Sequence, residues 1–192
     1  MRPTPSPRVV IIGAGIVGAN LADELAQLGH TNTLVLEQGP LGIPGGSTSH
    51  APGLVFSSNG SKSMTAFAQY TIKKLTSLTD SEGRGSYLPV GGLEIATTEE
   101  RLQDLHRRAG WNRSYGVEAH VVDADECLRL FPLLNPDMPL GGLLTPGDGL
   151  ALAAKGTQLV IERARAAGVE FRDRTTVTDI EQSGGRVTAV VA

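Results

Sequence analysis

The sequence predicts an α/β protein: a βαβ-type domain contributed by two chain segments, with part of a second, antiparallel-sheet domain between them. Three observations carry this. A continuous β-branched run at residues 8–12 leads directly into glycines at 13, 15 and 18 and then a helical segment. A second aliphatic run at residues 33–36 follows after a short connection and ends at Glu37. From about residue 85 to 147 this alternation gives way to short strand-like runs separated by turns. The expected bounds are 1–84 and 148–192 for the first domain and 85–147 for the second.

The elements can be justified in chain order. Residues 8–12 read Arg-Val-Val-Ile-Ile, as a parallel strand buried on both faces does. Val17, Leu21, Leu25 and Leu28 recur at helical spacing, and Gly29 is placed to end that helix with positive φ. With the run at 33–36 this makes one βαβ unit. Residues 38–60 are rich in Gly, Ser and Pro, and a loop that long in a compact domain is usually functional. Helix resumes at about 63–78, with Phe67, Tyr70, Leu75 and Leu78 as candidate core contacts. Residues 87–96 read as one strand broken by a bend. Residues 97–100 have capping-box spacing and open a polar helix through Arg108. A strand at 117–122, a short helix capped at 123–126 and stopped by Pro132, and a strand at 140–144 follow. Residues 151–167 are again helical, with Leu152, Leu159, Val160 and Ala164 on one face and Gly168 at the end. A strand at 169–172 and a hairpin around Gly184-Gly185, from 175–180 to 186–191, complete the chain.

Composition narrows the function classes. The chain has 192 residues, 40% hydrophobic and 19% charged, enough aliphatic content to bury a core. Its formal net charge is −3, and it carries no basic stripe interleaved with aromatics, so nucleic acid is not the expected partner. No apolar run approaches the ~20 residues that span a bilayer. Residues 1–7 lack the apolar stretch of a secretory signal, so a cytoplasmic location is expected. Cys127 is the single cysteine and reads as a half-buried structural thiol.

The glycine turn carries the chemistry. Gly13-Ala-Gly15-Ile-Val17-Gly18 follows a strand, opens a helix, and has an acidic residue about 20 positions on, which is the context that makes this fingerprint specific. Gly13 permits the tight turn. Gly15 leaves room for a pyrophosphate, and Gly18 lets helix and strand pack closely. The helix N-terminus offers free N–H groups and partial positive charge to phosphate, and Val17 sits within that first turn. Glu37 can accept hydrogen bonds from ribose hydroxyls and would repel a 2′-phosphate. NAD and FAD both use this turn. The hydroxyls and backbone N–H groups in Gly45-Gly-Ser-Thr-Ser-His50-Ala-Pro-Gly-Leu54 suit the second polar stretch of FAD.

The combination of that turn, Glu37 and Gly46-Ser-Thr-Ser-His50-Ala-Pro-Gly-Leu-Val-Phe56 resembles the glycine and D-amino-acid oxidase superfamily of flavoproteins. Within it the chain is similar to the dimethylglycine oxidase, dimethylglycine dehydrogenase and sarcosine dehydrogenase group. The likeness continues through 91–97, 131–134, 147–150 and 176–187. It implies a Rossmann-like FAD-binding domain, with FAD held by the glycine turn and by Glu37 and Gln38. It further implies that Ser47, Thr48, Ser49 and Leu54 line the flavin and that Val177 contacts the adenine end through its backbone. His50 stands where that group links its flavin covalently. On the residues alone, a histidine hydrogen-bonded within its loop is the plainer reading; the resemblance makes His50 the attachment point.

The implied reaction removes a hydride equivalent from the N-methyl carbon of a small amino acid such as dimethylglycine or sarcosine. The resulting iminium hydrolyses or passes its one-carbon unit to folate bound elsewhere in the full-length protein. No catalytic base stands out, so the catalytic residues and the folate-binding region are expected beyond Ala192, in a chain expected to be truncated and inactive alone. An NAD-linked reductase and an inactive nucleotide-binding fragment are the alternative readings. The residues do not choose between oxidase and dehydrogenase.

Overall fold

The computed structural model describes residues 9–43 and 45–192; Arg8, the first residue of the expected opening strand, and the segment before it lie outside the described residues. In chain order the elements are β1 (Val9–Ile12), α1 (Ile16–Gln27), β2 (Thr33–Leu36), α2 (Ser47–His50), β3 (Leu54–Val55), α3 (Lys62–Ser77), β4 (Tyr87–Leu88), β5 (Gly92–Ala96) and α4 (Glu99–Ser114). They continue with β6 (His120–Val122), α5 (Ala124–Leu130), β7 (Gly141–Thr145), β8 (Gly149–Ala151), α6 (Ala153–Ala166), β9 (Glu170–Arg172), β10 (Asp179–Ser183) and β11 (Arg186–Val191). Two compact units result. One holds the chain up to Pro52, Leu78–Ser86 and Leu152–Ala192; the other holds Gly53–Ser77 and Tyr87–Ala151. This division differs from bounds at 84/85 and 147/148, because residues 53–77 cluster with the second unit and 78–86 with the first.

The first unit is built on a parallel sheet of order β1-β2-β9. All four residues of β2 are buried, as the central strand requires. The strand ends are fastened where β2 meets the loop. Gly13 N–H donates to the Leu36 carbonyl (2.7 Å) and Glu37 N–H to the Arg172 carbonyl (2.9 Å). The β10–β11 hairpin forms with its turn at Gly184-Gly185, both at positive φ.

Helix α1 buries a face that aliphatic spacing does not indicate. Val17, Leu21 and Leu28 are exposed, Val17 at 79%, whereas Ala19, Ala22, Asp23 and Ala26 are buried. Small residues line the inner face because α1 lies close against β1 and β2 and against α6. Asp23 fits there because Arg163 of α6 grips it with two hydrogen bonds, Nε to Oδ1 at 2.8 Å and Nη2 to Oδ2 at 2.6 Å. A bidentate guanidinium matches the carboxylate geometry and replaces the water lost on burial. The expected core face of α6 is observed for Leu159, Val160 and Ala164, while Leu152 precedes the helix and is exposed.

The second unit is antiparallel. One sheet has the order β5-β7-β6 and another β3-β8-β4. Helix α4 packs on β7 through Leu105 and Ala109 against Leu143, Ala96 and Ala119. Its N-cap is Thr98, whose hydroxyl accepts from Arg101 N–H at 3.2 Å, and the helix runs to Ser114, six residues past the expected end at Arg108. Asp123 caps α5 as expected, accepting from Glu126 N–H at 2.9 Å. The strand expected at 87–96 is two strands in different sheets, β4 and β5, divided where Gly91 takes φ +81°. On α3, Phe67 and Tyr70 are exposed while Thr65 and Leu75 are buried; Leu78, just past the helix, is buried in the first unit. Cys127 is fully buried, and burial, followed by the charges of Asp123 and Glu126, pushes its thiol up from the usual range. Such a thiol is inert rather than nucleophilic.

Removing one partner of the α1–α6 ion pair takes a bidentate charge partner from the other. Arg163→Met, which takes both guanidinium hydrogen bonds from buried Asp23, is expected to lower unfolding free energy by about 3 kcal/mol. Asp23→Leu combined with Arg163→Met should recover most of that loss. Denaturant unfolding of the single and double variants measures both.

Candidate functional site

The glycine turn lies at the carboxyl end of β1, where a parallel sheet and a helix N-terminus meet. Gly13 takes φ +99°, a conformation that side chains disfavour. At Gly18 the constraint is space: a Cβ there would stand 2.0 Å from the Gly13 carbonyl oxygen. Gly15 is the N-cap of α1 and supplies no side-chain cap. In a helix of this geometry the N–H groups of the first turn have no intrahelical acceptor. Thr48 Oγ1 accepts the one from Ile16 at 3.0 Å.

Glu37 completes this corner. Its carboxylate is half-buried, and Oε2 accepts from Ala14 N–H at 2.7 Å while Oε1 accepts from Gly39 N–H at 2.9 Å. The Thr175 N–H to Glu37 carbonyl bond (2.9 Å) ties the same residue to the chain after β9. The carboxylate therefore stands beside the turn on backbone that cannot drift. Gln38 follows it, exposed.

The loop expected to be irregular contains the single helical turn α2. Its four residues are Ser47, Thr48, Ser49 and His50, of which Thr48 is buried and the others exposed. Ser49 Oγ donates to the Gly46 carbonyl at 2.9 Å. His50 Nδ1 lies 2.9 Å from that same carbonyl and 3.1 Å from Ser49 Oγ, so the ring is oriented by its own turn. The structure thus brings Gly13, Gly15, Gly18, Glu37 and Thr48 together in the first unit, with Val17 on the exposed face of α1. Val177 is half-buried between β9 and β10. Leu54, in β3, belongs to the second unit and lines a cavity of about 330 Å³ there, with Phe56, Leu93, Glu94, Arg108 and Asp148.

That cavity contains polar groups the sequence reading missed. Asp148 is buried, and its carboxylate accepts from Ser57 N–H (2.8 Å), Ser57 Oγ (2.6 Å) and Thr145 Oγ1 (2.5 Å). Burial, and then the Asp148 charge, pushes the Tyr87 phenol up, which keeps it a neutral donor to the Gly147 carbonyl at 2.8 Å. Glu94 is paired with Arg108 at 2.7 Å and with Arg101, and Arg108 and Asn112 both donate to Ser58 Oγ. Ser57 and Asp148 are 91 residues apart, and no local pattern marks such a pair. Among the described residues no group of three or more His, Cys, Asp or Glu side chains could hold a metal ion, and no helix is long and apolar enough to cross a membrane.

Residues 8–192 match the family model of FAD dependent oxidoreductases, and the chain belongs to that family. It is 30% identical over 185 residues to 4-methylaminobutanoate oxidase (formaldehyde-forming) of Paenarthrobacter nicotinovorans, covering 96% of this chain and 22% of the relative. It is 33% identical to mitochondrial sarcosine dehydrogenase of Homo sapiens, covering 93% of this chain and 20% of that one. The crystal structure of glycine oxidase from Geobacillus kaustophilus superposes with a TM-score of 0.72 at 27% identity, over 90% of this chain and 48% of that chain. The chain therefore spans about a fifth of the length of these two curated relatives and about half of the glycine oxidase.

Gly18→Ala is expected to destabilise the protein by about 3 kcal/mol, because the new methyl meets a backbone carbonyl that cannot rotate away. Gly110→Ala is the control. It lies within α4 with nothing near its would-be Cβ, and should stabilise by up to about 1 kcal/mol. Opposite signs in thermal or denaturant unfolding would bear this out.

Proposed function

We propose that the full-length protein is an FAD-dependent oxidoreductase that oxidises the N-methyl group of a small amino acid, such as dimethylglycine or sarcosine. The observation that carries this reading is the corner where the glycine turn, Glu37 and Thr48 meet. There the N-terminus of α1, which its own N-cap residue Gly15 leaves bare, the Glu37 carboxylate bonded to Ala14 N–H, and the turn bearing His50 come together. The residues fit FAD. The turn is bare of side chains where the dinucleotide must approach, and Glu37 is held at the end of β2, where it can accept from the ribose. The second loop arrives with Ser47, Ser49 and His50 exposed, whereas a nicotinamide site has no need of it.

When bound, FAD supplies the electron sink for removal of hydride from the methyl carbon. The chain's own residues hold it. The α1 N-terminus would take the pyrophosphate, Glu37 with Gln38 would hold the adenosine end, and Val177 would meet the adenine through its backbone. Ser47, Thr48 and Ser49 would line the flavin end. His50 would carry a covalent link to the flavin through a ring nitrogen. The substrate amine must lose its proton before the carbon can give up hydride, so the complete site must supply a base or a dry pocket. Similarity to sarcosine dehydrogenase and to a formaldehyde-forming methylamino-acid oxidase supports the N-methyl substrate class. A cytoplasmic location and a folate acceptor for the one-carbon product belong to the same reading.

Acid precipitation of the full-length protein should give a yellow pellet, and His50→Ala should release all of its flavin to the supernatant while still binding it before denaturation. Anaerobic addition of dimethylglycine or sarcosine should bleach the flavin absorbance. A colourless pellet from flavin-replete wild-type protein would contradict the covalent link. A purified protein with no flavin absorbance, even after incubation with FAD, would overturn the whole reading.

A further inference from the structure

The hydroxyl of Thr48 has a partner that a flavin-lining role does not explain. It accepts the N–H of Ile16, the first residue of α1, from a position 32 residues away in sequence. Gly15 has no side chain to cap that helix, so Thr48 caps it from outside. The fit is close: a Cβ on Gly15 would stand 3.2 Å from Thr48 Oγ1. Gly15 is thus bare on two accounts, the approach of a pyrophosphate and the seat of this threonine. Thr48 is also the one buried residue of α2; Ser47, Ser49 and His50 around it are exposed. The other side-chain bonds of that turn, from Ser49 and His50 to the Gly46 carbonyl, are internal and brace the turn without anchoring it.

We infer that Thr48 is a positioning residue: its hydroxyl docks the His50-bearing turn onto the N-terminus of α1 and so sets where His50 stands relative to the bound dinucleotide. The inference rests on the proposed FAD site. The geometry divides the work. Ile16 N–H is taken up by Thr48, while the Val17 and Gly18 N–H groups remain for phosphate. Losing the hydroxyl would therefore loosen the His50 turn and leave most of the phosphate cradle in place.

Thr48→Val keeps the shape and removes the acceptor, Thr48→Ala removes both, and Thr48→Ser restores the hydroxyl. In hydrogen exchange on the full-length protein, the Ile16 amide should exchange about tenfold faster in the Val and Ala variants, and within about twofold of wild type in Thr48→Ser. At saturating FAD, Val and Ala should bind flavin stoichiometrically but accumulate acid-stable flavin about tenfold more slowly, again with rescue by Ser. Unchanged Ile16 exchange in both Val and Ala, or wild-type attachment kinetics in both, would overturn the positioning role. If wild-type protein itself forms no acid-stable flavin, attachment at His50 is what fails, and the exchange measurement still decides whether Thr48 docks the turn.

Discussion

A methyl group cannot be added at Gly18, and the rest of the first unit follows from that. With its Cβ position 2.0 Å from the Gly13 carbonyl, Gly18 brings α1 against the end of β1 as closely as backbones allow. The close approach explains why alanines rather than leucines line the inner face of α1: no larger side chain fits between a helix this near and its neighbours. Glu37 and Thr48 then find their partners in the turn, one at Ala14 and the other at Ile16. Neither bond would form if α1 stood off by the width of a side chain.

The two units meet the cost of buried charge differently. In the first, Asp23 is answered by a guanidinium across the α1–α6 interface. In the second, Asp148 is held by two hydroxyls and a backbone N–H, all neutral, so its negative charge acts on its surroundings and contributes to the raised Tyr87 phenol. That carboxylate lines the cavity beside Leu54, Phe56 and Leu93, with the Glu94–Arg108 ion pair also in the lining.

Much of the first unit was legible because it follows local rules. A buried parallel strand is a continuous aliphatic run, a tight turn needs glycine, and a strand-end acid at about 20 residues completes the fingerprint. The antiparallel character of the second unit showed in its short, turn-parted runs. What was not legible depends on distance or on backbone detail. Leucine spacing on α1 pointed to the wrong face because helix proximity, not hydrophobicity alone, chose the buried residues. Phe67 and Tyr70 are aromatic and periodic yet exposed. The division of 87–96 into strands of two sheets turns on one positive φ at Gly91. Thr48 was marked as a ligand contact, and nothing nearby in sequence reveals that its acceptor is taken by Ile16. The Ser57–Asp148 pair lies equally outside the reach of pattern.

In the proposed function one corner of the fold, made by the glycine turn, Glu37 and the His50 turn, grips a single extended FAD. A crystal structure of the full-length protein with FAD tests it most directly. The pyrophosphate is expected at the N-terminus of α1, a ribose hydroxyl on Glu37, and the dimethylbenzene edge of the flavin at His50. A well-ordered dinucleotide bound elsewhere, or a flavin ring remote from His50 with the pyrophosphate in place, would contradict it.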